Sequence, residues 1–215
     1  MKKLLIPSLN FDQAKDNIEK LSALLDTLPE HTIDNQPWPE FRNELKAGFT
    51  IAHTDDALLL KYKVSEQAVR VATFETNGPV HKDTCVEFFV SFGTDKSYYN
   101  IEMNCIGVCR LAYGSGRLYR TFIPKEFVEQ ISSYAKMKTL PGVQGLMYEW
   151  EITVIIPITV FTHSDLTTLK GETGSGNFFK CGDDLPEPHF YTWNRIEAER
   201  PDFHLPEFFG ELRFE

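Results

Sequence analysis

The spacing of apolar residues changes once along this chain. Near the N-terminus Phe11, Ala14, Ile18, Leu21, Leu25 and Leu28 recur at intervals of three and four, the stripe of an amphipathic helix. Asn10 is placed to cap it, Gln13 falls at the third helical position, and Pro29 ends it. In Asp34-Asn35-Gln36-Pro37-Trp38-Pro39 two prolines flank a tryptophan, so no regular element is expected there.

From Phe49 onward the period is two. Phe49, Ile51 and His53 alternate with Thr50 and Ala52. Leu58, Leu60, Tyr62 and Val64 face one way and Lys61 and Lys63 the other. Val69 to Phe74 continues the pattern until Asn77-Gly78-Pro79 breaks it. Thr84 to Phe92 reads as a central apolar strand, and Gly93-Thr94-Asp95-Lys96 as a turn into strands at Tyr98–Cys105 and Val108–Tyr113. The pattern weakens after Gly114-Ser115-Gly116, and Pro124 to Tyr134 is expected to be a short helix. Leu146, Tyr148, Trp150, Ile152, Val154 and Ile156 then alternate without a break until Pro157, and Ile158 to Phe161 reads as a helical turn. Short strands near 177–181, 190–193 and 210–214 close the chain.

Many short strands separated by turn signals, with no repeated strand–helix alternation, predict an all-β fold. The expectation is an antiparallel β-sandwich of jelly-roll type with an N-terminal helix and short helical turns. No repeat, low-complexity tract or linker divides the 215 residues, so residues 1–215 form one expected domain, with 1–37 as a helical extension. Aromatic residues make up 13% of the chain, seventeen of them Phe, which supplies one large core.

Charge narrows the partners. A net charge of -9 argues against nucleic acid, which needs a basic surface. The opening Met1-Lys2-Lys3-Leu4-Leu5-Ile6-Pro7 is too short in its apolar run for a signal peptide. No stretch reaches the roughly 20 apolar residues of a membrane span. The expectation is therefore a soluble chain with no membrane partner: cytoplasmic as written, or secreted or periplasmic if a signal has been removed. Cys105 and Cys109 do not form a CxxC pair, Cys85 and Cys181 stand alone, and no His lies at zinc-finger spacing. All four read as buried, reduced thiols, and neither a metal nor a cofactor is expected.

Chemistry concentrates on the strand Tyr98–Cys105. Tyr99, Ile101, Met103 and Cys105 occupy its core face, while Tyr98, Asn100, Glu102 and Asn104 line the other. Such a row of amides, a carboxylate and a phenol suits either a solvated sheet face or a grip on hydroxyl groups. Glu87 is a charge within an otherwise apolar strand, and Trp193 follows a loop rich in Pro and Asp, where it is either core or a flat platform for a sugar ring. Trp150 shares the core register of its strand. Glu149 and Glu151 share one face and read as surface charges rather than a glycosidase pair. Signatures of a nucleophile elbow, a zinc protease, a phosphate loop or a dinucleotide site are absent, so no enzyme is expected.

These residues also carry a resemblance. Asp83-Thr84-Cys85-Val86-Glu87-Phe88-Phe89-Val90 resembles a strand of carbohydrate-binding module family 9, within the DOMON-like β-sandwich superfamily. Tyr98 to Gly107, Trp150 to Pro157, and the ending from Asn177 through Trp193 to Gly210 are similar to later segments of that family, in the same order from about Trp38 on. The resemblance implies a non-catalytic sandwich that binds terminal sugars or oligosaccharides, as an accessory to polysaccharide use. Two aromatic side chains would clamp the sugar while a carboxylate and amides bond its hydroxyls. Carried over, the carboxylate falls on Glu87, the amide on Asn104, one aromatic on Trp193 and the other on His81. His81 departs from the family pattern, as does Glu102, which stands where sugar binders carry a basic residue. Two other readings remain open. One is a haem-binding sandwich using Met103 with His81 or His189. The other is an interaction domain that has lost the sugar site.

Overall fold

The computed structural model describes residues 1–12, 15–142 and 145–215. The described strands form two packed sheets. The larger comprises β1 (Lys3–Ile6), β5 (Cys85–Phe92), β6 (Tyr98–Asn104), β7 (Cys109–Gly114), β8 (Arg120–Phe122), β11 (Thr173–Cys181), β12 (Phe190–Thr192) and β13 (Gly210–Phe214). Its order is β1-β13-β11-β5-β6-β7-β8, with β12 also on β11. The smaller comprises β2 (His31–Thr32), β3 (Lys46–His53), β4 (Ala57–Glu66), β9 (Ser132–Gly142) and β10 (Gly145–Pro157), in the order β2-β3-β4-β10-β9. All pairings within these sheets are antiparallel except β1 on β13.

The predicted alternation sorts residues onto the faces as expected. Leu58, Leu60, Val86, Phe88, Ile152 and Val154 are buried between the sheets. Phe178 of β11 lies between Phe49 and Phe88, stacked at centroid distances of 3.6 and 4.4 Å. Trp150 and Met103 belong to the same core.

Several elements differ from the sequence reading, and Val69 to Phe74, expected to continue the strands, forms none. The N-terminal helix, α1 (Ile18–Leu25), starts later, because Asn17 rather than Asn10 accepts a cap bond from the Lys20 amide, at 2.9 Å. Gln13 and Ala14, read as helical, lie outside the described residues, while Phe11 joins the helix's apolar cluster without being helical. Leu21 and Leu25 pack on Ala52, Leu59 and Ile155, the outward face of the smaller sheet. The helix expected from Pro124 to Tyr134 shrinks to α2 (Lys125–Val128) before β9 begins. The opening apolar run is the edge strand β1, with Leu4 and Ile6 buried opposite Leu212 and Phe214. No helix among the described residues is long and apolar enough to cross a membrane.

The outward face of the larger sheet is also covered. Ile196, Phe203 and Phe209 of the segment after β12 pack with Trp38 and Val80 onto Cys85, Phe89, Tyr98 and Phe179. Hence the polar row Tyr98, Asn100, Glu102 and Asn104 is buried, at 2% exposure or less, rather than solvated.

Candidate functional site

Under this cover the sheet register assembles a charged floor. Glu87 on β5 stands opposite Glu102 on β6, which in turn stands opposite Arg110 on β7. The covering segment leaves a cleft of about 90 Å³ above them, lined by His81, Glu87, Glu102, Arg120, Asp183 and His204 and walled by Phe190 and Phe203. Three residues read from the sequence thus converge: His81, Glu87 and Glu102.

Glu102 is surrounded by positive charge, though among the described residues only its Oε1 accepts a hydrogen bond and its buried Oε2 has none. The Asn100 amide donates to its Oε1 at 2.7 Å. Arg120 and Arg110 lie 3.7 and 3.8 Å from the same oxygen, and His81 Nδ1 is 3.6 Å from Oε2. Guanidiniums from β7 and β8 thus stand beside Glu102. Glu87 has a different environment. Burial, then repulsion from Glu102, raises its carboxyl well above the usual range. Asp183 is raised as well, chiefly by burial. His204 is held neutral at a pKa of about 3 by burial and then by Arg120. Arg120 can only donate, so His204 Nε2 accepts from it at 2.9 Å, and Nδ1–H is left to meet the Tyr98 hydroxyl at 2.8 Å.

Asn104 and Trp193, read from the sequence as sugar contacts, do not line this cleft. Asn104 is a brace. Its amide donates to Thr73 O and Asp83 Oδ2 at 3.0 and 3.1 Å, and its oxygen accepts from the amides of Ile106 and Val108. Asp83 also accepts from the amides of Ala72 and Thr73 and pairs with Arg70. Burial raises its pKa, but these bonds outweigh it and the carboxyl ends below its ordinary value. The brace fixes the turn that carries His81. Trp193 is 3% exposed in the core between the sheets, edge-on to Phe178 and Phe49 at 5.6 and 6.0 Å. It presents no platform, because alternation along the chain puts its ring on the inner side with that of Tyr191.

The aromatic walls come instead from Phe190 and Phe203, which the sequence reading passed over. Arg120 and His204 were also missed; pairing the strands on either side of the Gly107 turn would have set Arg110 opposite Glu102. The haem pairings fail on geometry. Met103 faces the inner core and His81 the outer side of the same sheet. Both ring nitrogens of His189 are engaged, by Lys180 Nζ at 2.8 Å and the Glu187 carbonyl at 3.0 Å.

His189 belongs to a second buried polar cluster. Lys180 Nζ lies 3.0 Å from Glu66 Oε2, and Trp150 Nε1 donates to Glu66 Oε1 at 2.7 Å. An open groove of about 900 Å³ runs nearby past Leu45, Met137, Trp150 and Tyr191. None of the five residues singled out from the sequence lines it. Glu149 pairs with exposed Lys138, and Glu151 with exposed Lys136 and with buried Lys61.

Comparison with known proteins places this geometry. The sequence model of carbohydrate-binding family 9 matches residues 19–214. A crystal structure of a Bacteroides uniformis protein, provisionally described as carbohydrate-binding, shares 36% identity with a TM-score of 0.90, over 100% of this chain and 99% of that one. Structures of a family 9 module from Caldicellulosiruptor kristjanssonii, in complex with glucose and with cellotriose, share the fold at 15% and 14% identity, with TM-scores of 0.56 and 0.55. They cover 100% of this chain and 96% and 94% of theirs. No protein of curated function matches the chain.

Proposed function

Because the chain belongs to carbohydrate-binding family 9, we propose that its cleft over Glu87 and Glu102 holds a sugar unit without cleaving it. The convergence of His81, Glu87 and Glu102 with Arg120 between two phenylalanines carries this reading. A sugar ring offers hydroxyls that both donate and accept, and apolar C–H faces. Arg120 donates, Glu102 and Asp183 accept, and the Glu87 carboxyl accepts, or donates when it carries a proton. Phe190 and Phe203 supply apolar wall area. A space of about 90 Å³ suits one terminal unit rather than the middle of a chain.

The same geometry argues against hydrolysis. Glycosidase carboxyls flank the scissile bond from two sides, whereas Glu87 and Glu102 lie side by side on one sheet floor. Glu102 is further tied to three basic side chains, which weakens it as a nucleophile.

Calorimetric titration with mono- and oligosaccharides tests the proposal. Saturable binding is expected, weakened about tenfold to a hundredfold in Glu102→Gln, the loss of one charged hydrogen bond of about 1.5–3 kcal/mol. No reducing sugar should be released during incubation. Folded Glu102→Gln and Phe203→Ala proteins that bind as tightly as the parent would move the site elsewhere.

A further inference from the structure

Cys85 and Cys181, isolated in the sequence, are direct partners across β5 and β11. Glu87 follows two residues along β5, so its side chain emerges on the same face. The two sulfurs and a Glu87 oxygen lie within 4.8 Å of one another. Glu87 Oε1 stands 3.1 Å from Cys181 Sγ and 3.9 Å from Cys85 Sγ. A tetrahedral zinc ion, with Zn–S of about 2.3 Å and Zn–O of about 2.0 Å, sets its sulfur and oxygen ligands about 3.5 Å apart. The observed distances bracket that spacing. We propose that Cys85, Cys181 and Glu87 bind one divalent thiophilic cation, zinc by preference, at the floor of the cleft.

The state of Glu87 is an independent reason. It is 4% exposed, and its side-chain hydrogen bonds come from the two thiols, which are weak donors. Among the described residues no basic side chain forms an ion pair with it, although Glu102 beside it has three. A buried carboxyl so poorly matched is costly, and a bound cation would satisfy it. Cysteines serving only as core filler would need no such neighbour.

The donor set decides the ion. Two thiolates with one carboxylate suit zinc, whereas calcium and magnesium take oxygen ligands alone. Glu87 and Cys181 both line the cleft, which gives the ion a way in. Three protein ligands leave the fourth position to water or to an oxygen of whatever occupies the cleft. The thiol and carboxyl protons leave to solvent as the ion binds. The proposal holds whether or not the cleft takes a sugar, since it requires only the folded chain.

Cobalt and zinc titrations of reduced, metal-free protein test it. One cobalt ion per chain should produce thiolate-to-cobalt charge-transfer absorption and the intense visible bands of a tetrahedral site, and one equivalent of zinc should abolish both. Cys85→Ser and Cys181→Ser should each lower zinc affinity by more than about 100-fold, beyond the loss seen for residues outside the ligand shell. Cys105→Ala, in the core between the sheets, should leave affinity unchanged. The parent cobalt spectrum decides even if a cysteine variant misfolds. Absence of charge-transfer absorption, or full zinc affinity in both serine variants, would overturn the proposal. So would a Cys85–Cys181 disulfide that reforms in air in a protein taking up no cobalt when reduced.

Discussion

Trp193 and Lys180 are both buried, and their variants test how much each holds the fold. Trp193 fills the core against Phe178 and Phe49, so Trp193→Ala should cost about 3–5 kcal/mol of stability. Chemical denaturation measures this, and an unaffected midpoint would show that the ring is not packed. Lys180 is fully buried against Glu66. Lys180→Met would strand the Glu66 carboxylate and is expected to destabilise by about 3–5 kcal/mol, as for other broken buried pairs. Beside it, burial and then Lys180 hold His189 at a pKa of about 3. The unfolded chain protonates this residue near 6.5 while the folded one does not. Stability from this group is therefore complete above pH 6.5 and falls as the pH drops towards 3, by about 2 kcal/mol between pH 7 and pH 5. Urea titrations at those two pH values should show this loss in the parent and a shallower one in His189→Gln. Equal losses would place the titration elsewhere.

Among the elements, legibility follows burial on one face. β3, β4, β6 and β10 alternate in sequence because one side of each packs apolar residues between the sheets, although β5 and β6 are buried on both faces. β9 carries almost no buried side chain, so its sequence has no period to read, and it exists by pairing with β10. β1 is four residues long and buries only Leu4 and Ile6. The stripe at the N-terminus was real, but local capping by Asn17 shortened the helix that it predicted. α1 is also pinned by a residue outside its own stretch. Lys61, 1% exposed, donates to Ser22 Oγ at 2.9 Å and to Asp26 at 2.8 Å, where the helix ends. Lys61→Met should leave the sheets intact and loosen this end locally, since Asp26 and Glu151 are partly exposed and can return to water. Hydrogen exchange should accelerate by about five- to thirtyfold over residues 21–26, the equivalent of about 1–2 kcal/mol. An unchanged pattern would mean that apolar packing alone holds the helix.

Across the whole molecule, the site is a product of one fact that alternation could not show: both faces of the larger sheet are covered. A period of two assigns residues to sides and says nothing of what lies over each side. Alternation therefore placed Glu102, and the family resemblance Glu87 and His81, while the aromatic walls and the Arg120 guanidinium, supplied by the C-terminal strands and segment and by β8, were not legible. The parallel pairing of β1 with β13, Leu4 against Leu212, also bears on the order in which the chain folds. As the polypeptide emerges from the ribosome, its first strand has no partner until its last is made. Leu4 and Ile6 must wait unpaired while every intervening strand forms. Such distant pairings place refolding in the range of about milliseconds to seconds, with β1 docking after the rate-limiting barrier. Leu4→Ala should then leave the folding limb of the chevron nearly unmoved and speed unfolding by almost the full loss of stability. A slowed folding limb would instead put the two ends of the chain together in the nucleus, closing the sheet before its middle is complete.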